Sequence, residues 1–220
     1  DATQRVLCYA NAGLTKSEQP QEILRFVAFW KRRVGRVPEE LVFDSQLTTY
    51  RILNQLNQQG IRFMTLRRRS KKMLGQIWSH PASAWRRITL ASLTRTFRTP
   101  RVLDQSIHLP DYEGPLRQVT VIDLGHEEPT ILLTNNFRIG CPALVTRYAQ
   151  RMLIENGISE AIQFFHIDSL SSMVGLQVDF DLQITLMASS LYRLMADRIG
   201  REYRHAQAKK LFRNVLDLSA

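Results

Sequence analysis

Apolar and polar positions along this chain fall in two patterns, short strand-like apolar runs and longer segments at helical spacing. Gln4 to Ala10 (QRVLCYA), rich in Val, Leu, Cys and Tyr, predicts a strand. Thr15 to Glu18 (TKSE) has the form of a capping box, and Pro20 is tolerable in the first turn of the helix that follows. Ile23, Leu24, Phe26, Val27, Trp30 and Val34 then recur at helical spacing. Gly35 is placed to end that helix, and Pro38 prevents its resumption. Leu41 to Asp44 predicts a short buried strand. Gln46 to Gln59 predicts a helix with Leu53 and Leu56 on its apolar side and Gly60 as its stop, and Ile61 to Leu66 (IRFMTL) predicts another strand. Strands and helices in this order imply an α/β layer in which the strand of Asp44 is covered on both faces.

The middle of the chain changes character. WRRITL, RTFRTPRVL, RQVTVIDL and TILLTN, between Trp85 and Asn135, are short strand-like pieces broken at Pro100, Pro110, Gly114 and Pro129. They predict a β-rich subdomain built mostly from antiparallel pieces. Helix returns over Pro142 to Asn156, with Gly157 as punctuation, then over Ser159 to Phe165, Asp181 to Ile199 and Glu202 to Leu218. The expectation is an α/β protein: a mixed sheet flanked by helices, an inserted β-rich subdomain and a helical C-terminus. Its divisions fall at 1–66, 67–138 and 139–220.

Composition narrows the function. With 220 residues, 44% of them hydrophobic, the chain can bury one sizeable core. A formal net charge of +10 calls for an acidic partner, and nucleic acid is the commonest one. No apolar run approaches the roughly 18 residues of a membrane helix. Cys8 and Cys141, without C-x-x-C spacing, fit a reducing, cytoplasmic compartment. The first residues, DATQRVLCYANAGL, lack a signal-peptide pattern. They lead straight into a strand-like run without an initiator Met, as a fragment of a longer protein would.

The charge is concentrated. Between Arg62 and Leu103 lie Arg62, Arg67, Arg68, Arg69, Lys71, Lys72, Arg86, Arg87, Arg95, Arg98 and Arg101, with no Asp or Glu among them. Trp78, Trp85 and Phe97 are interleaved. Such a stretch can neutralise phosphates and stack on exposed bases, and the plainer alternative is a solvated basic loop. A second cluster is LVTRYAQRMLIENGI, Leu144 to Ile158, where Tyr148, Arg151 and Glu155 share one helical face. The plain alternative there is a surface ion pair worth about 0.3–0.5 kcal/mol. Asp44 and Glu155 are a strand-end acid and a helix-borne acid, which can meet at the carboxyl end of an α/β sheet. Paired carboxylates suit Mg²⁺ or Mn²⁺, and two such ions can hold both oxygens of a phosphodiester displacement. The alternative for Asp44 is a cap on the segment that follows. His80, His108, His126, His166 and His205 lack metal-ligand spacing. Ser169, Ser171 and Ser172 lack a nucleophile elbow, and no phosphate-cradling glycine loop is present.

The segments YANAGLTKSEQPQEILRFVAFWKRRVGRVPEELVFDSQLTTY, GIRFMTLRRRS, LRQVTVIDLGHEEPTILLTNN and RYAQRMLIENGISEAIQFFHIDSLSS carry a likeness to a known family. Over nearly its whole length the chain resembles the DDE-type transposases of bacterial insertion sequences. The resemblance implies a ribonuclease-H-like catalytic core with a β-rich insertion ahead of the last catalytic helix. It implies that Asp44 is the second catalytic aspartate and Glu155 the catalytic glutamate, together holding Mg²⁺ or Mn²⁺. Tyr148 and Arg151 match the opening of the family's Tyr-x-x-Arg-x-x-x-Glu-x(6)-Lys signature, whose Lys position is Ile162 here. The family's first aspartate lies on a strand upstream of any in this chain, so the chain by itself is expected to be catalytically incomplete. The implied partners are transposon-end and target DNA, in a dimeric synaptic complex near the bacterial nucleoid. On that reading Tyr148 and Arg151 position the DNA backbone, and Arg67, Arg68, Arg69, Lys71 and Lys72 bind phosphates. The rivals are a non-catalytic nucleic-acid-binding remnant, another ribonuclease-H-fold nuclease, and a basic scaffold protein.

Overall fold

In the computed structural model, which describes residues 6–91, 97–125, 127–169 and 173–217, the first helix starts from a partial capping box. The Glu18 carboxylate accepts from the Thr15 amide at 3.3 Å and from the Thr15 hydroxyl at 2.6 Å. The Arg25 guanidinium, 2.7 Å away, and then Thr15 hold that carboxyl down at about 2. Helix α1, Gln19–Val34, begins just beyond. It ends where Gly35, at φ +80°, turns its amide onto the carbonyl of Lys31, a conformation that glycine adopts without steric cost.

Residues 15–149 form one compact unit, and residues 1–14 with 150–220 form another. The first unit is built on a six-stranded mixed sheet. Its strands are β1 (Glu40–Val42), β2 (Arg62–Leu66), β3 (Arg86–Arg87), β4 (Arg101–Ile107), β5 (Leu116–Ile122) and β6 (Thr130–Thr134). They lie in the order β1-β2-β6-β5-β4-β3. β1 and β2 are parallel and every other pairing is antiparallel. The strands from the middle of the chain therefore continue the sheet that β1 and β2 begin, with β6 alongside β2.

Helices cover both faces. On one, Ile23 and Val27 of α1 and Leu53 and Leu56 of α2 (Tyr50–Gln58) pack with Phe63, Leu116 and Leu133, and Leu41 lies against them. Met73 and Ile77 of α3 (Lys71–Trp78) pack on Ile131 of the same face. On the other, Leu144 and Val145 of α4 (Cys141–Ala149) cover Met64, Val102, Val119, Val121 and Leu132. β5 is buried along its whole length, as a central strand sandwiched by helices must be.

The second unit holds α5 (Met152–Gln163), α6 (Gly175–Ile199) and α7 (Ala208–Leu211). Phe164, Phe165 and Tyr192 meet edge to face at centroid distances of 4.9, 5.5 and 5.6 Å, and Ala196, Ala206 and Leu211 form a small core. Glu160 accepts the Ala208 amide that opens α7 and pairs with Arg193 of α6 at 3.5 Å, fastening three helices together. Phe180, Ile184, Met187, Leu191 and Leu194 of α6 are exposed.

Several element boundaries differ from the sequence expectation. Residues 6–10 are not a strand, and Gln4 and Arg5 lie outside the described residues. The helix expected from Gln46 starts only at Tyr50, because the Thr49 hydroxyl caps it by accepting from the Ile52 amide; a 3₁₀ turn, Ser45–Leu47, comes before. The helix expected over Pro142 to Asn156 is interrupted after Ala149, and α5 runs straight through Gly157. A helical glycine costs about 1 kcal/mol, which weakens a helix without ending it. The last expected helix becomes a 3₁₀ turn at Arg201–Tyr203, α7, and a π-helical turn at Phe212–Leu216; Leu218 lies outside the described residues.

A polar knot centred on the buried Arg117 joins sheet to helix. Arg117 of β5 makes two 2.9 Å bonds to Asp104 of β4, and its third nitrogen donates to the carbonyls of Asn136 and Ile139, just ahead of α4. Arg86 also reaches Asp104, at 3.2 Å, and the Cys141 thiol donates to it at 3.2 Å. The Arg117 guanidinium holds the Asp104 carboxyl below the usual aspartate range, while burial pushes the Cys141 thiol up. Because the folded-state carboxyl is depressed, its stabilisation is complete above the unfolded value near 4 and fades as pH falls through the folded value. Asp104→Asn, which leaves Arg117 buried beside a neutral partner, is expected to lower stability at neutral pH by about 3 kcal/mol. Urea unfolding at neutral and acidic pH checks this: the gap between wild type and variant should narrow in acid.

Candidate functional site

Asp44 sits just past the end of β1. Backbone pairing with β2 extends one residue beyond the strand, the Phe43 amide donating to the carbonyl of Met64 at 3.1 Å. Leu41 and Val42 point to opposite faces, one toward the α1–α2 cluster and one toward the α4 cluster, so the strand is covered on both sides as expected. Glu40, whose side chain is 8% exposed, pairs with Arg147 of α4 at 2.8 Å and ties the start of the strand down. Asp44 itself is half-buried. Its Oδ1 accepts from the Gln46 amide at 2.9 Å and from the Ser45 hydroxyl at 3.4 Å, capping the 3₁₀ turn. The capping role weighed for this residue is thus in place.

The sheet register brings a second predicted group to the same end. Val42 pairs with Met64, and extending that parallel register sets Asp44 level with Leu66, the residue before Arg67. Arg67, Arg68 and Arg69 follow β2. Ser70 then caps α3 by accepting from the Met73 amide at 3.3 Å, and Lys71 and Lys72 fill the first helical turn. Parallel neighbours end at the same edge, so the acid and the basic run share it.

Acids from elsewhere in the chain neutralise part of the basic run. Arg62 pairs with Glu39 at 3.8 Å, Arg69 with Glu128 at 2.5 Å, Arg86 with Asp104, and Arg101 with Asp123 at 2.7 Å. Arg68, Lys71 and Lys72 are exposed, and no carboxylate among the described residues pairs with them. Arg95 lies outside the described residues. Of the interleaved aromatics, Trp78 is 53% exposed and stacks on Trp85 at 6.0 Å, and Phe97 is exposed against Gly125.

The other predicted cluster is divided. Tyr148 belongs to α4 and lies against the cluster of Leu144 and Val145, whereas Arg151 precedes α5 and Glu155 is in the first turn of α5. Arg151 and Glu155 form the i,i+4 ion pair at 2.7 Å, half-exposed on the glutamate side. Asp44 and Tyr148 are in the first unit, Arg151 and Glu155 in the second. Among the described residues no group of three or more His, Cys, Asp and Glu is arranged to hold a metal ion; His126, Ser171 and Ser172 lie outside them.

No protein-family model matches the chain, and no curated protein sequence matches it. The site therefore stands on its residues. One polar chain in it escaped the sequence reading. Arg67 donates to Gln118 Oε1 at 2.5 Å, Gln118 donates to Gln105 Oε1 at 3.4 Å, and Gln105 meets His80 at 3.1 Å. The one available signal was Gln118 itself, one of the polar residues, with Arg117 and Thr120, set among the apolar positions of β5. The capping geometry of Asp44 sets a control for any functional variant. Asp44→Ala should cost about 1 kcal/mol in denaturant unfolding, Asp44→Asn close to nothing, because an amide oxygen caps as well. Glu155→Gln should cost no more than about 0.5 kcal/mol.

Proposed function

We propose that this chain is part of a DDE-type DNA transposase of bacterial insertion sequences, a metal-dependent enzyme with a ribonuclease-H-like core that cuts and joins DNA in the bacterial cytoplasm. The observation that carries the reading is the parallel β1–β2 register, which sets Asp44 and the Arg67–Arg69 run at one end of the sheet. Phosphodiester chemistry needs both. Guanidinium and ammonium groups draw in and hold the phosphate backbone, and a rigid carboxylate at a strand end holds a hard cation. Asp44 is such a carboxylate, fixed by its capping bonds and by the strand behind it.

Asp44 and Glu155 each carry a carboxylate of the oxygen-donor kind that Mg²⁺ or Mn²⁺ prefers, and each would serve as a ligand in the assembled enzyme. When bound, the metal supplies Lewis-acid stabilisation of the attacking and leaving oxygens. Arg151 would position the DNA backbone. Arg67, Arg68, Arg69, Lys71 and Lys72 would bind phosphates. A second reading, a DNA-binding relic without chemistry, draws on the finding that Asp44 and Glu155 are both already engaged locally.

Binding of duplex DNA followed by fluorescence anisotropy across a salt series tests the proposal. The complex should weaken steeply with salt. Replacing Arg68, Lys71 and Lys72 together by Gln should shrink the log–log salt slope by about 2.7, near 0.9 per lost phosphate contact. Added Mg²⁺ should strengthen the wild-type complex but not that of Asp44→Asn or Glu155→Gln. A complex that ignores Mg²⁺ and both substitutions favours the relic. Affinity indifferent to salt removes DNA from the account altogether.

A further inference from the structure

A cavity of about 380 Å³ opens between α3 and the sheet, lined by Arg67, Met73, Gln76, Ile77, His80, Gln105 and Gln118 among others. Its size is that of a small-ligand pocket. Three properties decide what it can take. The first is charge: no acid lines it, and Arg67, half-buried, is held by a neutral amide where Arg69, Arg86 and Arg101 are held by carboxylates. No carboxylate among the described residues pairs with Arg67. A partly desolvated guanidinium without a counter-ion is costly, and an anion relieves that cost.

The second property is the direction of the hydrogen bonds. Gln118 Oε1 accepts from Arg67, so its amide nitrogen is the one that donates to Gln105 Oε1, and the amide nitrogen of Gln105 is the one that meets His80 Nε2. An amide nitrogen only donates, so His80 Nε2 accepts in this contact. The chain of bonds thus runs one way. It leaves Arg67 with unused N–H groups and each glutamine nitrogen with a second N–H, so the cavity is a set of donors. Gln118, 3% exposed, is fixed in the buried strand and cannot swing away. The third property is apolar: Met73 and Ile77 of α3 and Ile107 of β4 complete the lining.

We propose that this cavity binds a phosphate ester, the phosphate on Arg67 and the glutamine N–H groups and the organic part over Met73 and Ile77. That the phosphate comes from a nucleic acid strand rests on the reading given above; the pocket chemistry itself is the same for a free nucleotide. Calorimetric titration of the full chain with inorganic phosphate, thymidine monophosphate and a short oligothymidylate tests it. Thymidine monophosphate should bind more tightly than inorganic phosphate. Arg67→Gln should weaken the nucleotide about tenfold or more, the loss of one charge-assisted contact. Gln76→Glu, an isosteric change on an exposed helical position that disturbs no packing, should do the same by repulsion. Lys31→Gln, on the exposed face of α1, should leave it unchanged.

A larger loss for the oligothymidylate than for the nucleotide assigns the site to a strand of nucleic acid, and the reverse assigns it to a free phosphate ester. If the wild type binds none of the three probes, or if Arg67→Gln and Gln76→Glu both bind them as the wild type does, the pocket is not a phosphate site. That result would leave the salt-dependent duplex complex standing. Loss of duplex binding with retained nucleotide binding would instead remove the transposase reading and keep the pocket.

Discussion

Arg117 leaves β5 toward the face covered by α4, and its five N–H donors must be met there, because a guanidinium cannot shed its proton. Asp104 takes two of them across the neighbouring strand, and the carbonyls of Asn136 and Ile139 take more from the segment entering α4. One 8%-exposed side chain thereby fixes three things together: the pairing of β4 with β5, the path out of β6, and the start of the helix that closes that face. α4 in turn carries Arg147, the partner that anchors Glu40 and with it the strand leading to Asp44. The position of the candidate carboxylate depends on a charge pair far along the chain from it.

The same reasoning organises the basic surface. A run of eleven cations without one acid cannot all be accommodated on a folded surface as unpaired charge without mutual repulsion. The fold brings Glu39, Glu128, Asp104 and Asp123 to it from outside the run, which turns several arginines into structural members. What is left over is more informative than the total. Arg68, Lys71 and Lys72 project into solvent, and Arg67 faces a cavity held by an amide. The functional reading rests on these residues and on the acid at the neighbouring strand end.

Much of the fold could be read directly from the pattern of residues. The capping residues and Gly35 located α1, short apolar runs bounded by breakers located β2, β5 and β6, and the apolar run ending in Asp44 marked a strand covered on both faces. These signals are local, since they depend on side chains a few residues apart. The misreadings are also physically explicable. Residues 6–10 have strand composition, but composition does not supply a pairing partner. Thr49 displaced the expected start of α2 because a hydroxyl at that place satisfies an amide that Gln46 could not.

By itself the sequence determined the α/β class, the charge, most of the element types and the two acids worth testing, because propensity, capping and periodicity act over one or two turns of chain. Only the tertiary structure decided that the middle strands join the same sheet as β1 and β2. It alone decided that Asp44 and Arg67 end parallel neighbours, that the helix bearing Tyr148 stops before the one bearing Glu155, and which cations keep their charge uncancelled. Each of these is a pairing between residues distant in sequence, such as Arg67 with Gln118 or Arg117 with Asn136, and such pairings follow from which surfaces must be buried together rather than from any residue's own preference.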